Sequence, residues 1–108
     1  MTNYRRGRLL DPLAAPRWGE TVDTVTTVAG VNVEQILSGE LEAPIIYRQD
    51  HDEWIVVLAG GAVLEVDEET VSLSEGEWVL LPKGVSHRLL STVPGTNWLA
   101  VRVPVAST

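Results

Sequence analysis

The chain has 108 residues and no cysteine, and its 15 acidic and 8 basic side chains give a formal charge of −7. A chain of this length makes one domain that buries roughly 65% of the surface its unfolded form would expose. The missing cysteines exclude disulfides, thiolate nucleophiles and sulfur-ligated metals, and the negative field argues against nucleic acid and anionic membrane surfaces as partners.

In chain order, residues 1–17 carry Arg5, Arg6 and Arg8 and are broken by Pro12 and Pro16, which predicts a flexible amino-terminal segment ahead of a single domain over 18–108. The arginines read most simply as a solvated tail. Neither a long apolar span nor a basic-then-apolar leader occurs, so the expected compartment is the cytoplasm and no membrane insertion is expected. Residues 20–28 carry Val22, Val25 and Val28 among threonines and read as strand, since β-branched side chains favour extended backbone, although the three-residue spacing of the valines also allows a helix. From 31 to 37, Val31, Val33, Gln35 and Leu37 share one face and Asn32, Glu34 and Ile36 the other, with Ile36 breaking the apolar–polar alternation. Ser38 and Gly39 close that strand.

A short strand over 45–48 leads into the polar bend Gln49-Asp50-His51-Asp52. Residues 54–59 and 62–66 form a hairpin about Gly60-Gly61. Beyond the acidic turn Asp67-Glu68-Glu69, residues 70–74 form a strand with one polar face. Trp78 to Leu81 is a continuous apolar run, which suits a strand buried on both sides or at a sheet junction. Pro82-Lys83-Gly84 makes a tight turn, His87 opens the next strand, and 98–103 is the last. Eight to ten short strands with no three-turn helix predict an all-β sandwich or small barrel.

The spacing Gly76-x5-Pro82-x-Gly84-x2-His87 resembles the second sequence motif of the cupin superfamily, with Ser91 standing where that family favours asparagine. Glu53 followed after six residues by Gly60 is similar to the second half of the first cupin motif; where that motif supplies two histidines, this chain has Tyr47 and Gln49. Tyr-x-Gln ahead of Glu53-Trp54, and the closing Trp98-Leu99-Ala100, resemble short single-domain bacterial cupins. The resemblance implies a double-stranded β-helix, or jelly-roll barrel, over residues 31–103. It also implies homodimers formed through the amino-terminal strands, for which the run at 20–28 is suited.

A metal-binding cupin presents three histidines and a glutamate, of which Glu53 and His87 are carried over here. If strand register persists through the polar bend, Tyr47, Gln49, His51 and Glu53 share one face, adding His51 and the weak donor Gln49 to a site for zinc, manganese, iron or nickel. Without metal, Glu53 beside His87 would make a carboxylate–imidazole base, with Tyr47 as donor to a developing oxyanion. The plain readings are a solvated strand end for Glu53 and a turn residue for His87. Arg88 and Arg48 fall out of phase with the site and read as surface residues. Trp54 and Trp78 are expected in the core or a subunit seam, Trp98 fits the last strand, and Trp18 is expected to be buried only on assembly. Two functions remain open: a barrel that binds a small organic molecule, with a divalent metal and turnover as further options, and a non-enzymatic binding or sensor module whose metal site has decayed.

Overall fold

Nine strands and one turn of 3-10 helix account for the regular structure of the computed structural model, which describes residues 3–47 and 50–104. The strands are β1 (Glu20–Val28), β2 (Val31–Ser38), β3 (Ile45–Tyr47), β4 (Asp52–Ala59), β5 (Gly61–Val66), β6 (Glu69–Ser74), β7 (Trp78–Leu81), β8 (His87–Thr92) and β9 (Thr96–Val103). They form a five-stranded sheet, β1-β2-β9-β4-β7, facing a four-stranded sheet, β3-β8-β5-β6. Every pairing within the sheets is antiparallel. This is the double-sheet jelly roll that the strand pattern predicts. No helix among the described residues is long and apolar enough to cross a membrane.

The core lies between the sheets because period-two side chains from both point inward. From the larger sheet come Ile36, Ile55, Val57, Leu81, Trp98 and Ala100; from the smaller come Ala62, Leu64, Leu73 and Leu89. Each fully buried leucine or valine contributes about 1.5–3 kcal/mol, which is why so small a barrel needs no cross-link. Ile36, the residue that breaks the alternation of β2, faces this core. The opposite face of β2 is also covered, since Gln35 and Leu37 are fully buried.

The turns carry the conformations their residues allow. Gly60 sits at φ +94° between β4 and β5, and a Cβ there would press on the side chain of Thr96. Between β7 and β8, Gly84 adopts φ +85° and the Val85 amide closes the turn on the Pro82 carbonyl at 3.2 Å. Gly76, at φ +82°, turns the chain from β6 into β7.

Two expectations need correction. β7 is not buried on both sides: it is an edge strand, and while Leu81 is fully enclosed, Trp78 and Leu80 remain 59% and 55% exposed. The run is apolar because one face meets the core and the other lies on the outer surface of the sheet. Of the two places expected for Trp54 and Trp78, the core is ruled out: they lie on that outer surface, where their rings meet at 6.1 Å and 40°. Trp98 does enter the core, and Trp18 is half exposed.

Candidate functional site

Strand register gathers the ionisable interior of the protein at one end of the barrel. Glu53, near the start of β4, is paired with Arg102, near the end of β9, and Arg102 is paired in turn with Asn32 near the start of β2. On the facing sheet Tyr47, the last residue of β3, is paired with His87, the first of β8. The inward phase of β2 continues from Ser38 and Ile36 to Glu34, and that of β9 from Trp98 and Ala100 to Arg102. The apolar core thus ends in a polar layer.

Arg102 organises this layer. Its Nε donates to Glu53 Oε2 at 2.9 Å, and its Nη1 lies 2.8 Å from Glu34 Oε1. One guanidinium therefore spans two carboxylates contributed by the strands on either side of its own. Both are almost wholly removed from water, at 6% exposure for Glu53 and 8% for Glu34. The Arg102–Glu34 contact is close in distance but poorly aligned, so Glu34 Oε1 lacks a well-formed hydrogen bond. Charges this deeply buried persist only when paired, and the fork of an arginine suits two acceptors.

His51 lies in the bend just ahead of β4, with its imidazole near Glu53. Its Nε2 is 3.5 Å from Glu53 Oε2, buried and without an aligned hydrogen bond, while its Nδ1 is 3.1 Å from Asp50 Oδ1. The hydrogen bond to His51 is the main reason the exposed Asp50 carboxyl sits below its ordinary range. Glu53 thus has the His51 imidazole as a neighbour. An open cleft of about 420 Å³ lies outside them, lined by Gly30, Asn32, Asp50, His51, Arg102 and Pro104.

His87 is 3% exposed and lies flat against Tyr47, with ring centroids 5.3 Å apart and planes 10° from parallel. The carbonyl of Val85 approaches its Nδ1 at 3.4 Å. The Tyr47 hydroxyl donates to Glu20 Oε1 at 2.6 Å; Ser38 Oγ donates to Glu20 Oε2, also at 2.6 Å; and Trp98 Nε1 donates to Ser38 Oγ at 3.0 Å. Burial first, then the bond to Glu20 and the charges of Glu20 and Glu53, push the Tyr47 phenol well above its ordinary value. A phenol held neutral with its proton directed at Glu20 is a structural tie, which differs from the expected donor to an oxyanion.

Arg88 forms a two-point ion pair with Glu65 at 3.0 and 3.1 Å on the outer side of β8, as its phase predicts. Arg48 and Gln49 lie outside the described residues, so the roles expected of them are not placed. Glu20, Glu34 and Arg102 escaped sequence reading. For the last two the signal was present: each is a charged residue in the inward phase of a strand whose neighbours in that phase are core residues. Nothing comparable marked Glu20, which begins its strand and reaches across to the other sheet.

The donor set does not fit a metal centre. No group of three or more His, Asp or Glu side chains among the described residues is arranged to hold a metal ion. Glu53 Oε2 already accepts from the Arg102 guanidinium, whose Nη1 also places its charge 2.8 Å from Glu34 Oε1.

The family model for the cupin domain matches residues 32–97, more than half of the chain, and the protein belongs to this family. Among solved structures it is similar to a Ralstonia eutropha protein provisionally called a mannose-6-phosphate isomerase, at 28% identity and a TM-score of 0.75 over 92% of this chain and 100% of that one. It also resembles a conserved Streptococcus pyogenes protein of unknown function, at 20% identity and a TM-score of 0.72 over 98% and 95% of the two chains. KdgF from a Halomonas species shares the fold at 16% identity and a TM-score of 0.67 over 82% of each. Cupin proteins of this kind support a ligand-binding cupin domain.

Proposed function

We propose that this cupin binds a small organic molecule at the polar end of its barrel, and that the molecule brings hydroxyl or amine donors. The observation that carries this reading is the pair of incompletely satisfied buried atoms at the barrel mouth, Glu34 Oε1 and His51 Nε2, on either side of the Arg102–Glu53 pair. A buried acceptor without an aligned partner is costly unless a ligand or water supplies the donor. A phosphate or carboxylate ligand is disfavoured there, because the guanidinium is already shared by two carboxylates. The stacked Tyr47–His87 pair supplies a flat apolar wall on the facing sheet.

The test is a panel of small polyols, sugars and amines screened by thermal shift and followed by calorimetry. Binding should be lost or weakened at least tenfold, about 1.4 kcal/mol, in Glu53→Gln and His87→Ala. A panel in which only phosphorylated compounds bind, or in which both variants bind as the parent does, contradicts the reading.

Turnover would rest on proton transfer by His51 beside Glu53, an imidazole–carboxylate pair suited to a general base, and isomerase is the provisional name of the 28% identical relative. Solvent deuterium appearing in a bound compound, and failing to appear with His51→Ala, would support an enzyme; binding without exchange supports the sensor reading. We also place the protein in the cytoplasm as a homodimer paired along β1, an edge strand whose Val22, Val25 and Val28 are exposed. Light scattering should give twice the chain mass, and Val25→Pro should halve it.

A further inference from the structure

We propose that Arg102 is the built-in cation of the barrel mouth, held between Glu34 and Glu53 where a divalent metal would otherwise have to sit, and that its presence excludes such a metal from these carboxylates. The inference concerns the same end of the barrel as the ligand reading above but does not depend on any ligand being found.

Three observations carry it. The Arg102 nitrogens are 2.8 Å from Glu34 Oε1 and 2.9 Å from Glu53 Oε2, so both carboxylates turn toward the one guanidinium. A metal ion needs oxygen ligands at roughly 2.0–2.2 Å, and could not approach the same oxygens without placing a second positive charge against the first. Both carboxylates are more than nine-tenths buried, so neither can swing into solvent to recruit a cation elsewhere. His51 adds an imidazole nitrogen 3.5 Å from Glu53 Oε2, close enough to join a ligand set but without a cation to join. Two carboxylates and an imidazole are ligand types that zinc and manganese accept, but with the guanidinium between the carboxylates no three such groups among the described residues are arranged around one point.

The guanidinium also explains why the chain can do without the histidine pair its family uses. A metal requires several donors converging from one side. An arginine rooted in β9 comes from the wall itself and needs only an acceptor on each neighbouring strand, which β2 and β4 provide. Arg102 is in this sense a positioning residue: it fixes the direction in which Glu34 and Glu53 present their remaining lone pairs.

The test uses the full chain, purified without a metal-binding tag, and the metals alone: zinc and manganese titrated by calorimetry, with elemental analysis of the dialysed protein. The parent should take up no stoichiometric metal. Arg102→Met, which removes the charge while keeping an unbranched stem, should gain a site with zinc affinity raised at least about tenfold. Adding Glu34→Gln to that variant should abolish the gain. A parent that binds zinc one to one with Arg102 in place overturns the inference, as does a folded Arg102→Met that gains nothing. If Arg102→Met does not fold in plain buffer, zinc should restore its far-ultraviolet dichroism, and failure to do so also overturns it. The ligand reading fails separately, if no compound of the panel binds the parent.

Discussion

Tyr47 donates its phenolic hydrogen to Glu20 at 2.6 Å and thereby joins the edge strand of the smaller sheet to the edge strand of the larger. The bond closes a chain from Trp98 through Ser38 and Glu20 to Tyr47, so the core tryptophan and the His87-facing tyrosine are held by one carboxylate. Tyr47→Phe keeps the ring against His87 and removes only the donor. It should lower stability by about 1–2 kcal/mol, the range for a hydrogen bond to a charged acceptor that keeps another partner, as read by urea denaturation.

The same bond sets an alkaline limit. The phenol is raised above its ordinary value of 10.0 in the folded protein, by burial first and by Glu20 next. The unfolded chain therefore loses this proton at lower pH than the folded one, and stability falls as pH climbs beyond the ordinary phenol value. The contribution is complete below that pH and is lost above it. Thermal melts from pH 8 to 11 should show this decline in the parent and a flatter limb in Tyr47→Phe.

The Arg88–Glu65 and Arg102–Glu53 pairs should respond differently to truncation. Glu65 and Arg88 lie on the surface, and their side chains keep 33% and 43% of their exposure, so Arg88→Ala should leave the urea midpoint unchanged. Glu53→Ala leaves Arg102, whose side chain is 32% exposed at the edge of the open cleft, with one badly aligned partner. That variant should lose about 2–4 kcal/mol, the lower part of the range for breaking a buried pair because Arg102 itself retains some water.

His87 packs as an aromatic ring as much as it presents nitrogens. His87→Ala should cost about 2–3 kcal/mol through the space left beside Tyr47, whereas His87→Phe preserves the stack and should cost at most about 1 kcal/mol. If the ligand reading is right, the alanine loses both stability and binding, while the phenylalanine, which preserves the wall, keeps both. Equal destabilisation of the two would show that the imidazole nitrogens, and not the ring, hold this position.

Gly60 and Gly76 share positive φ but not surroundings. A methyl group at Gly60 meets the Thr96 side chain and comes within 2.9 Å of its Cα, while at Gly76 it meets nothing within 4 Å. Gly76→Ala should therefore cost about 1 kcal/mol from backbone strain, and Gly60→Ala about 2–3 kcal/mol, with the difference read from melting curves.

The strand plan was legible because β-branched runs and glycine–proline turns act locally, and the observed strands begin or end within a few residues of those expected. The burial of Glu53 among the alternate buried positions of β4 also follows from period-two register. What the sequence could not reveal was who would pair with whom. Glu53 pairs with Arg102 on the next strand and has His51, from the bend ahead of its own strand, at 3.5 Å. Arg102 lies 49 residues from Glu53, and nothing local indicates that the two would be register partners. The exposure of Trp78 and Leu80 was hidden for a related reason: an apolar run looks the same whether its second face is covered by protein or by the outer surface of a sheet edge.

Gln35 is fully buried although it points away from the core, and its side-chain amide accepts from the Leu10 amide at 2.7 Å and donates to the Leu10 carbonyl at 3.0 Å. Its remaining donor hydrogen is directed at Asn97 Oδ1, 3.0 Å away. A side chain here copies the two-way exchange that one backbone makes with another, so Leu10 is fastened to the sheet wall as a strand of a single residue. Trimming the chain past this point would strand a primary amide in a dry place. The opening residues, whose arginines and prolines advertise a loose tail, therefore include a latch that the barrel needs in order to keep its outer wall sealed.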